Sequence, residues 1–225
     1  QFGPILGMKN PWNYRNKVMM EMYGVSSLLD MGTGGGEFLS TLSPLPKYTC
    51  ATEGYVPNIS IAKSRLEPLG VRVYKVEDDE ELPFDDETFE LVINKHESYS
   101  PKEVRRILDN KGIFVTQQVG GLNDKEINEI LEASEFEFID WNLKNAVAEL
   151  EEVGLNIFEQ REDLVKTRFY DIGAIAYYLK AIPWQVPDFT IEKYFGKLLK
   201  IHNMIEKLGY VDFTCHRFFI MANKE

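Results

Sequence analysis

The chain predicts an α/β fold: a doubly wound, mostly parallel sheet of about seven strands with helices on both faces and a helical cap inserted before the last strand. Three observations carry it. Short apolar runs alternate with stretches of helical period from Ser27 to Val119, glycines crowd the end of the first run, and helical patterns accumulate late, ahead of one final apolar run. At 225 residues the length is one and a half times the rough prior of ~150 per domain, which fits a single domain over 1–225. Within it, 1–24 is an N-terminal helical segment, 25–170 and 211–225 make the sheet core, and 171–210 is the cap.

Taken in order, the N-terminal segment carries Trp12 and Tyr14 and a helix ending near Gly24. Strands follow at Ser27 to Met31, Tyr48 to Glu53, Val71 to Val76, Leu91 to Asn94 and Ile113 to Val119, with room for a helix in each gap except the one before Leu91. The helix after Glu53 repeats apolar residues at Ile59, Ala62, Leu66 and Leu69, tolerates Pro57 in its first turn and stops at Gly70. Ser100-Pro101-Lys102-Glu103 has the spacing of a capping box with proline at the first helical position, and that helix is expected to close near Asn110-Lys111-Gly112. Beyond Gly121 the alternation breaks: Asp124 to Ser134 and Leu143 to Val153 read as helices, and Leu155 to Phe169 holds a sixth strand. From Asp171, residues Ile172, Ile175, Ala176, Leu179 and Ile182 form a core-facing stripe that ends at Pro183. Thr190 to Leu208 is a longer amphipathic helix, and Phe213 to Ala222 the last strand.

The net charge of −11 disfavours a nucleic-acid partner. Eight acidic residues and no basic one lie between Glu77 and Glu87, so most of that charge is local and RNA is disfavoured rather than eliminated. No apolar run approaches the ~18 residues that span a bilayer, and the N-terminus lacks a secretory layout, so a cytoplasmic location is expected. The chain opens on Gln1 rather than Met, which leaves open an upstream piece and a removed targeting segment. Cys50 and Cys215 sit in apolar stretches and read as buried thiols, not a disulfide or metal pair. No histidine spacing of a zinc site and no calcium-loop order occurs, so no metal is expected.

The first strand runs into Asp30-Met31-Gly32-Thr33-Gly34-Gly35-Gly36 and then a helix near Glu37. Glycines there allow a tight turn and close approach of a ligand, in the crevice where parallel sheets bind nucleotide-like molecules. A dinucleotide fingerprint would need a third glycine where Glu37 stands, which weakens NAD or FAD, and no G-K-[ST] follows to make a P-loop. The D-x-G-x-G-x-G spacing resembles the first signature of the class I S-adenosylmethionine (SAM)-dependent methyltransferases, which have a Rossmann-like fold. From about Ser26 to Val119 the resemblance extends to small bacterial members of uncertain substrate, including the stretch Thr116-Gln117-Gln118-Val119-Gly120-Gly121. It implies SAM as cofactor and S-adenosylhomocysteine as product, with Asp30, Gly32, Thr33 and Gly34 forming the cofactor loop. Glu53 would accept from the two ribose hydroxyls, Gly54 and Tyr55 would lie against adenine and ribose, Asp78 would accept from the adenine amino group and the backbone of Asp79 would meet the ring. Asn94-Lys95-His96-Glu97 would contact the methionine part or the acceptor. Many relatives carry serine where Tyr55 stands.

Alternative readings are plainer. The other acids of the 77–87 run are solvated loop charge, and a lone histidine is usually structural. His96 nevertheless lies beyond a strand's carboxyl end, where it is the candidate general base for an acceptor that must lose a proton. Phe169, Tyr170, Tyr177, Tyr178, Trp184 and Phe189 either complete the core or, with Tyr177 and Trp184 in front, line an acceptor pocket under the cap. The expected function is methyl transfer to a small molecule, with no membrane or nucleic-acid partner. A non-catalytic SAM-binding or regulatory module, an RNA methyltransferase and, least favoured, an NAD(P)-dependent oxidoreductase are the alternatives.

Overall fold

The computed structural model describes residues 5–7 and 9–225. Eight strands, β1 (Ile5–Gly7), β2 (Ser27–Met31), β3 (Tyr48–Glu53), β4 (Arg72–Lys75), β5 (Phe89–Lys95), β6 (Leu108–Val119), β7 (Leu155–Phe169) and β8 (Val211–Lys224), follow the order β1-β7-β8-β6-β5-β2-β3-β4. β2 pairs in parallel with β3 and β5, β3 with β4, and β5 with β6. The fold is the α/β architecture that the sequence predicts, with one strand more. The extra strand, β1, pairs antiparallel with β7 through Ile5 opposite Phe169, and three exposed residues are too few to show a period. Of the segment 1–24 expected to be helical, residues 1–4 and 8 lie outside the described residues, and the helix itself is α1 (Tyr14–Glu21).

The remaining helices are α2 (Glu37–Ser40), α3 (Val56–Leu66), α4 (Pro101–Ile107), α5 (Lys125–Leu131), α6 (Leu143–Glu152), α7 (Ile172–Ala181) and α8 (Ile191–Leu208). Among the described residues no helix is long and apolar enough to cross a membrane. The chain divides into two compact units. One comprises Trp12–Gln118, Leu143–Arg161 and Phe218–Glu225; the other holds Val119–Asn142 and Glu162–Arg217 together with the residues up to Pro11.

In the first unit the core is built from strand residues Leu28, Ala51, Leu91, Ile93 and Val115, helix residues Val18, Leu39, Ala62 and Leu66, and Phe219 and Met221 of β8. β2, β3 and β5 are buried on both faces and so read as short, mainly apolar runs, whereas β4 at the sheet edge is partly exposed. After β4 the chain returns to the other side of β2, so the strand order reverses between β2 and β5. A crevice at such a switch point, outside the carboxyl ends of the strands, is where open α/β sheets take ligands.

α4 begins at Pro101 as its sequence signals, but the capping box does not form. The Ser100 hydroxyl donates to Glu80 Oε2 at 3.1 Å, and the Glu103 carboxylate accepts from the Leu82 N–H at 2.8 Å. The helix also ends at Ile107, ahead of the expected Asn110-Lys111-Gly112. Leu108 is fully buried and pairs with Phe89, and the extra residues 109–112 bulge out before Ile113 meets Leu91, with Lys111 at φ 64°.

The second unit is centred on α5, α7 and α8. Ile175 and Leu179 of α7, Leu198, Ile201 and Ile205 of α8, and Ile127 and Leu131 of α5 pack with Phe169 and Phe213. Asp171 caps α7 by accepting from the Ala174 N–H at 2.9 Å, and Thr190 caps α8 by accepting from the Lys193 N–H at 3.1 Å. The aromatic group divides. Phe169 is buried and Tyr178 and Phe189 pack against the core, whereas Tyr177 is 75% and Trp184 60% exposed.

Candidate functional site

The site begins where β2 ends. Asp30 is buried, and its Oδ2 accepts from the Thr33 hydroxyl at 2.7 Å. Burial pushes its carboxyl up to about 7; the Thr33 hydrogen bond and the Lys95 charge oppose the rise and the Glu53 charge adds to it. Gly32 and Gly34 take φ of 65° and 62°, and the loop is held to β3 by the Thr33 N–H donating to Thr52 O at 2.9 Å. Gly36 is demanded twice. Its φ is 79°, and a Cβ there would fall 2.7 Å from Leu66 Cγ, so this glycine lets α2 start against α3.

At the end of β3, Glu53 is only 4% exposed, and its Oε1 accepts from the Tyr55 N–H at 2.7 Å. Gly54 approaches Val76 O so closely that a Cβ would lie 2.9 Å from it. Tyr55 is 65% exposed and occupies the cap position of α3 with its ring in solvent. Glu53 and Gly54 line a cavity of about 140 Å³ together with Gly32, Thr52, Asp79 and Glu97.

Asp79, not Asp78, is the member of that acidic pair that lines the cavity. Asp78 is exposed and its carboxylate accepts from the Glu80 N–H at 2.9 Å, while Asp79 is half-buried and accepts from the Ser98 hydroxyl. The loop that carries them is tied down by Arg106, which binds Glu103 through Nε and Nη2 at 2.7 Å each, Asp86 at 2.9 Å, and the carbonyls of Phe84 and Leu82. That ion pair holds the Glu103 carboxyl below its ordinary range.

The Glu97 side chain lies across the glycine loop: a Cβ on Gly32 would come within 2.3 Å of its Cγ. Burial first, then the charges of Asp79 and Glu53, raise the Glu97 carboxyl. Within the stretch Asn94-Lys95-His96-Glu97, which the resemblance sets against the methionine part or the acceptor, Glu97 is the residue that lines the cavity. Asn94, by contrast, is fully buried and its side chain is spent within the protein. Its Oδ1 accepts from Gln118 Nε2 at 2.6 Å and from Thr116 Oγ1 at 3.1 Å, and its Nδ2 donates to Ser98 O at 3.2 Å. It holds the loop after β5 and does not line the cavity.

His96 is exposed at the end of β5 in the left-handed region, φ 67°. Gln117 grips it twice: the His96 N–H donates to Gln117 O at 2.8 Å, and the Gln117 amide nitrogen sits 2.9 Å from His96 Nε2. The same Gln117 accepts from the Trp12 indole at 2.8 Å through Oε1, and Trp12 stacks on Phe219. Tyr177 and Trp184 belong to the second unit, on α7 and in the turn that follows it.

This geometry is a cavity at the switch point of a parallel sheet, lined by the carboxylates of Glu53, Asp79 and Glu97 and by Gly32 and Gly54. Residues 29–116 match the family model for a methyltransferase domain. Over that stretch the chain is similar to a methyltransferase domain. Its likeness to solved structures covers nearly all of its length at low identity. The YcgJ protein from Bacillus subtilis is 14% identical with a TM-score of 0.68, over 94% of this chain and 98% of that one. A SAM-dependent methyltransferase from Aquifex aeolicus is 14% identical with a TM-score of 0.53, over 94% and 89%. A geranyl diphosphate methyltransferase in complex with SAM is also 14% identical, with a TM-score of 0.57, over 94% and 84%. None of the curated proteins matches the chain. The matched stretch runs from within β2 to within β6 and includes every residue of the cavity.

Proposed function

We propose that the chain transfers the methyl group of SAM to a small-molecule acceptor. The observation that carries the reading is the buried Glu53 beside the glycine loop, in a cavity that also presents Asp79 and Glu97. A carboxylate with two acceptor oxygens suits a vicinal diol such as a ribose, and a rim of carboxylates suits a ligand with cationic ends. A Cβ on Gly32 would meet the Glu97 side chain and one on Gly54 the Val76 carbonyl, so glycine is required at both positions beside the cavity. Small-molecule sites start at about 300 Å³, so admitting a ligand of that size displaces Glu97, an exposed side chain on a loop.

SAM supplies an activated methyl group that is displaced in line to the acceptor, leaving S-adenosylhomocysteine. The protein's share is alignment and the exclusion of water. An acceptor hydroxyl would also need a base, for which His96 is the imidazole at the end of β5; an acceptor with a free lone pair needs none. Tyr177 and Trp184, large rings left in solvent, are assigned to acceptor binding.

Calorimetry with SAM, S-adenosylhomocysteine and NAD tests the cofactor. Saturable binding of the first two is expected. Heat from NAD alone would overturn the assignment, and SAM binding without turnover over a broad acceptor panel would favour a regulatory module.

A further inference from the structure

We propose that Trp12 and Gln117 are positioning residues that lock the neutral His96 imidazole in one tautomer, with its proton on Nδ1 and its Nε2 lone pair engaged. The donors and acceptors available fix the orientation of the Gln117 amide. An indole N–H can only donate, so the group facing Trp12 at 2.8 Å has to be the Gln117 oxygen. That leaves the Gln117 amide nitrogen, also only a donor, 2.9 Å from His96 Nε2. Nε2 therefore accepts, and in a neutral imidazole the proton then sits on Nδ1. Turning the amide over would set two donors against each other at Trp12 and leave an oxygen at the ring. The indole thus decides the tautomer of His96 through the Gln117 amide.

The lock is well braced. Gln117 is 6% exposed within β6, its carbonyl holds the His96 N–H, and Trp12 is pinned by its stack on Phe219. His96 also occupies a left-handed backbone conformation, one that costs a non-glycine residue free energy and persists where surrounding contacts enforce it.

The functional consequence rests on the methyl-transfer reading above. With Nε2 engaged and Nδ1 protonated, His96 is a fixed hydrogen-bond donor at the end of β5. It takes no proton from an acceptor unless Gln117 lets go. The acceptor class that this arrangement suits is a nucleophile with a lone pair already available at neutral pH, an amine or thiolate rather than an alcohol.

The tautomer can be read without cofactor or acceptor, by long-range nitrogen–proton correlation spectra of the ¹⁵N-labelled chain at mildly alkaline pH, with His96 assigned from a His96→Asn control. The wild-type ring should show a protonated Nδ1 and an unprotonated Nε2. Gln117→Glu replaces the donor with an acceptor and should move the proton to Nε2. Trp12→Phe keeps an aromatic ring but frees the amide to turn, and should yield a measurable Nε2–H population. A wild-type ring protonated on Nε2, or a tautomer left unmoved by either substitution, overturns the lock. Because SAM is absent from these samples, that failure is distinct from a failure to bind SAM.

Discussion

Asp30 offers a quantitative test because its burial sets a stability cost that pH should reveal. Its carboxyl rises from 3.8 to about 7, chiefly through burial. A raised acid favours the folded state while protonated: that contribution is complete below 3.8 and is lost as pH rises through 7. At about 1.36 kcal/mol per pKa unit, holding this group ionised costs the folded protein on the order of 4 kcal/mol above pH 7. Asp30→Asn keeps an oxygen to accept from Thr33 and removes the charge. Its advantage over the parent should be small near pH 4, grow through the window from 3.8 to 7, and level off above it. Between pH 5 and 8 the gap should widen by about 2.5 kcal/mol, in urea unfolding at matched ionic strength. The same variant should bind SAM more weakly at pH 8, since a buried carboxylate beside the glycine loop is lost. A constant gap across that range, or a variant less stable at pH 8 than the parent, would refute the assignment of the cost to a buried charge.

Three further outcomes follow from the site. Glu53→Ala should weaken SAM by about 1.5–3 kcal/mol, the range for hydrogen bonds to charged groups, whereas the exposed Glu81→Ala should not; equal affinities by calorimetry would remove the ribose role. Gly36→Ala has to place a Cβ against Leu66 at φ 79° and should destabilise the fold by about 1–3 kcal/mol, visible as a lower Tm; an unchanged Tm would mean that the α2–α3 contact yields freely. Trp184→Ala should alter acceptor KM or turnover while leaving SAM affinity unchanged, and unaltered kinetics on an identified acceptor would take Trp184 out of the acceptor site.

Much of the parallel half of the sheet could be read in advance because β2, β3 and β5 are short and buried on both faces, and because Pro57 and Pro101 mark the first turns of α3 and α4, each a local signal. Glycine spacing after β2 and an acid ending β3 are local too, which is why Gly32, Gly34 and Glu53 stood out as candidates. Other features depend on contacts that periodicity does not encode. In the irregular acidic loop nothing distinguishes Asp78 from Asp79 until the chain turns, and then Asp79 faces the cavity while Asp78 closes a local turn. Ser100 and Glu103 have capping-box spacing, but long-range partners at Glu80 and Leu82 outcompete the local bonds. Asn94 ends a strand as a cofactor contact would, yet pairing of β5 with β6 delivers Thr116 and Gln118 to its amide. The link from Trp12 to Gln117 spans 105 residues, beyond the reach of any motif.

The Arg106 clamp gives the acidic loop an unusual dependence. A stretch with eight negative charges in eleven residues repels itself and would be expanded on its own. One guanidinium gathers two of its carbonyls and Asp86, and aligns them with Glu103 on α4. The position of Asp79 at the cavity is therefore governed from a helix that does not line it. Cofactor affinity becomes a property of loop order as well as of direct contact. A change at Arg106 would reach the ligand as an entropy cost, paid when a disordered carboxylate has to be gathered back to the rim.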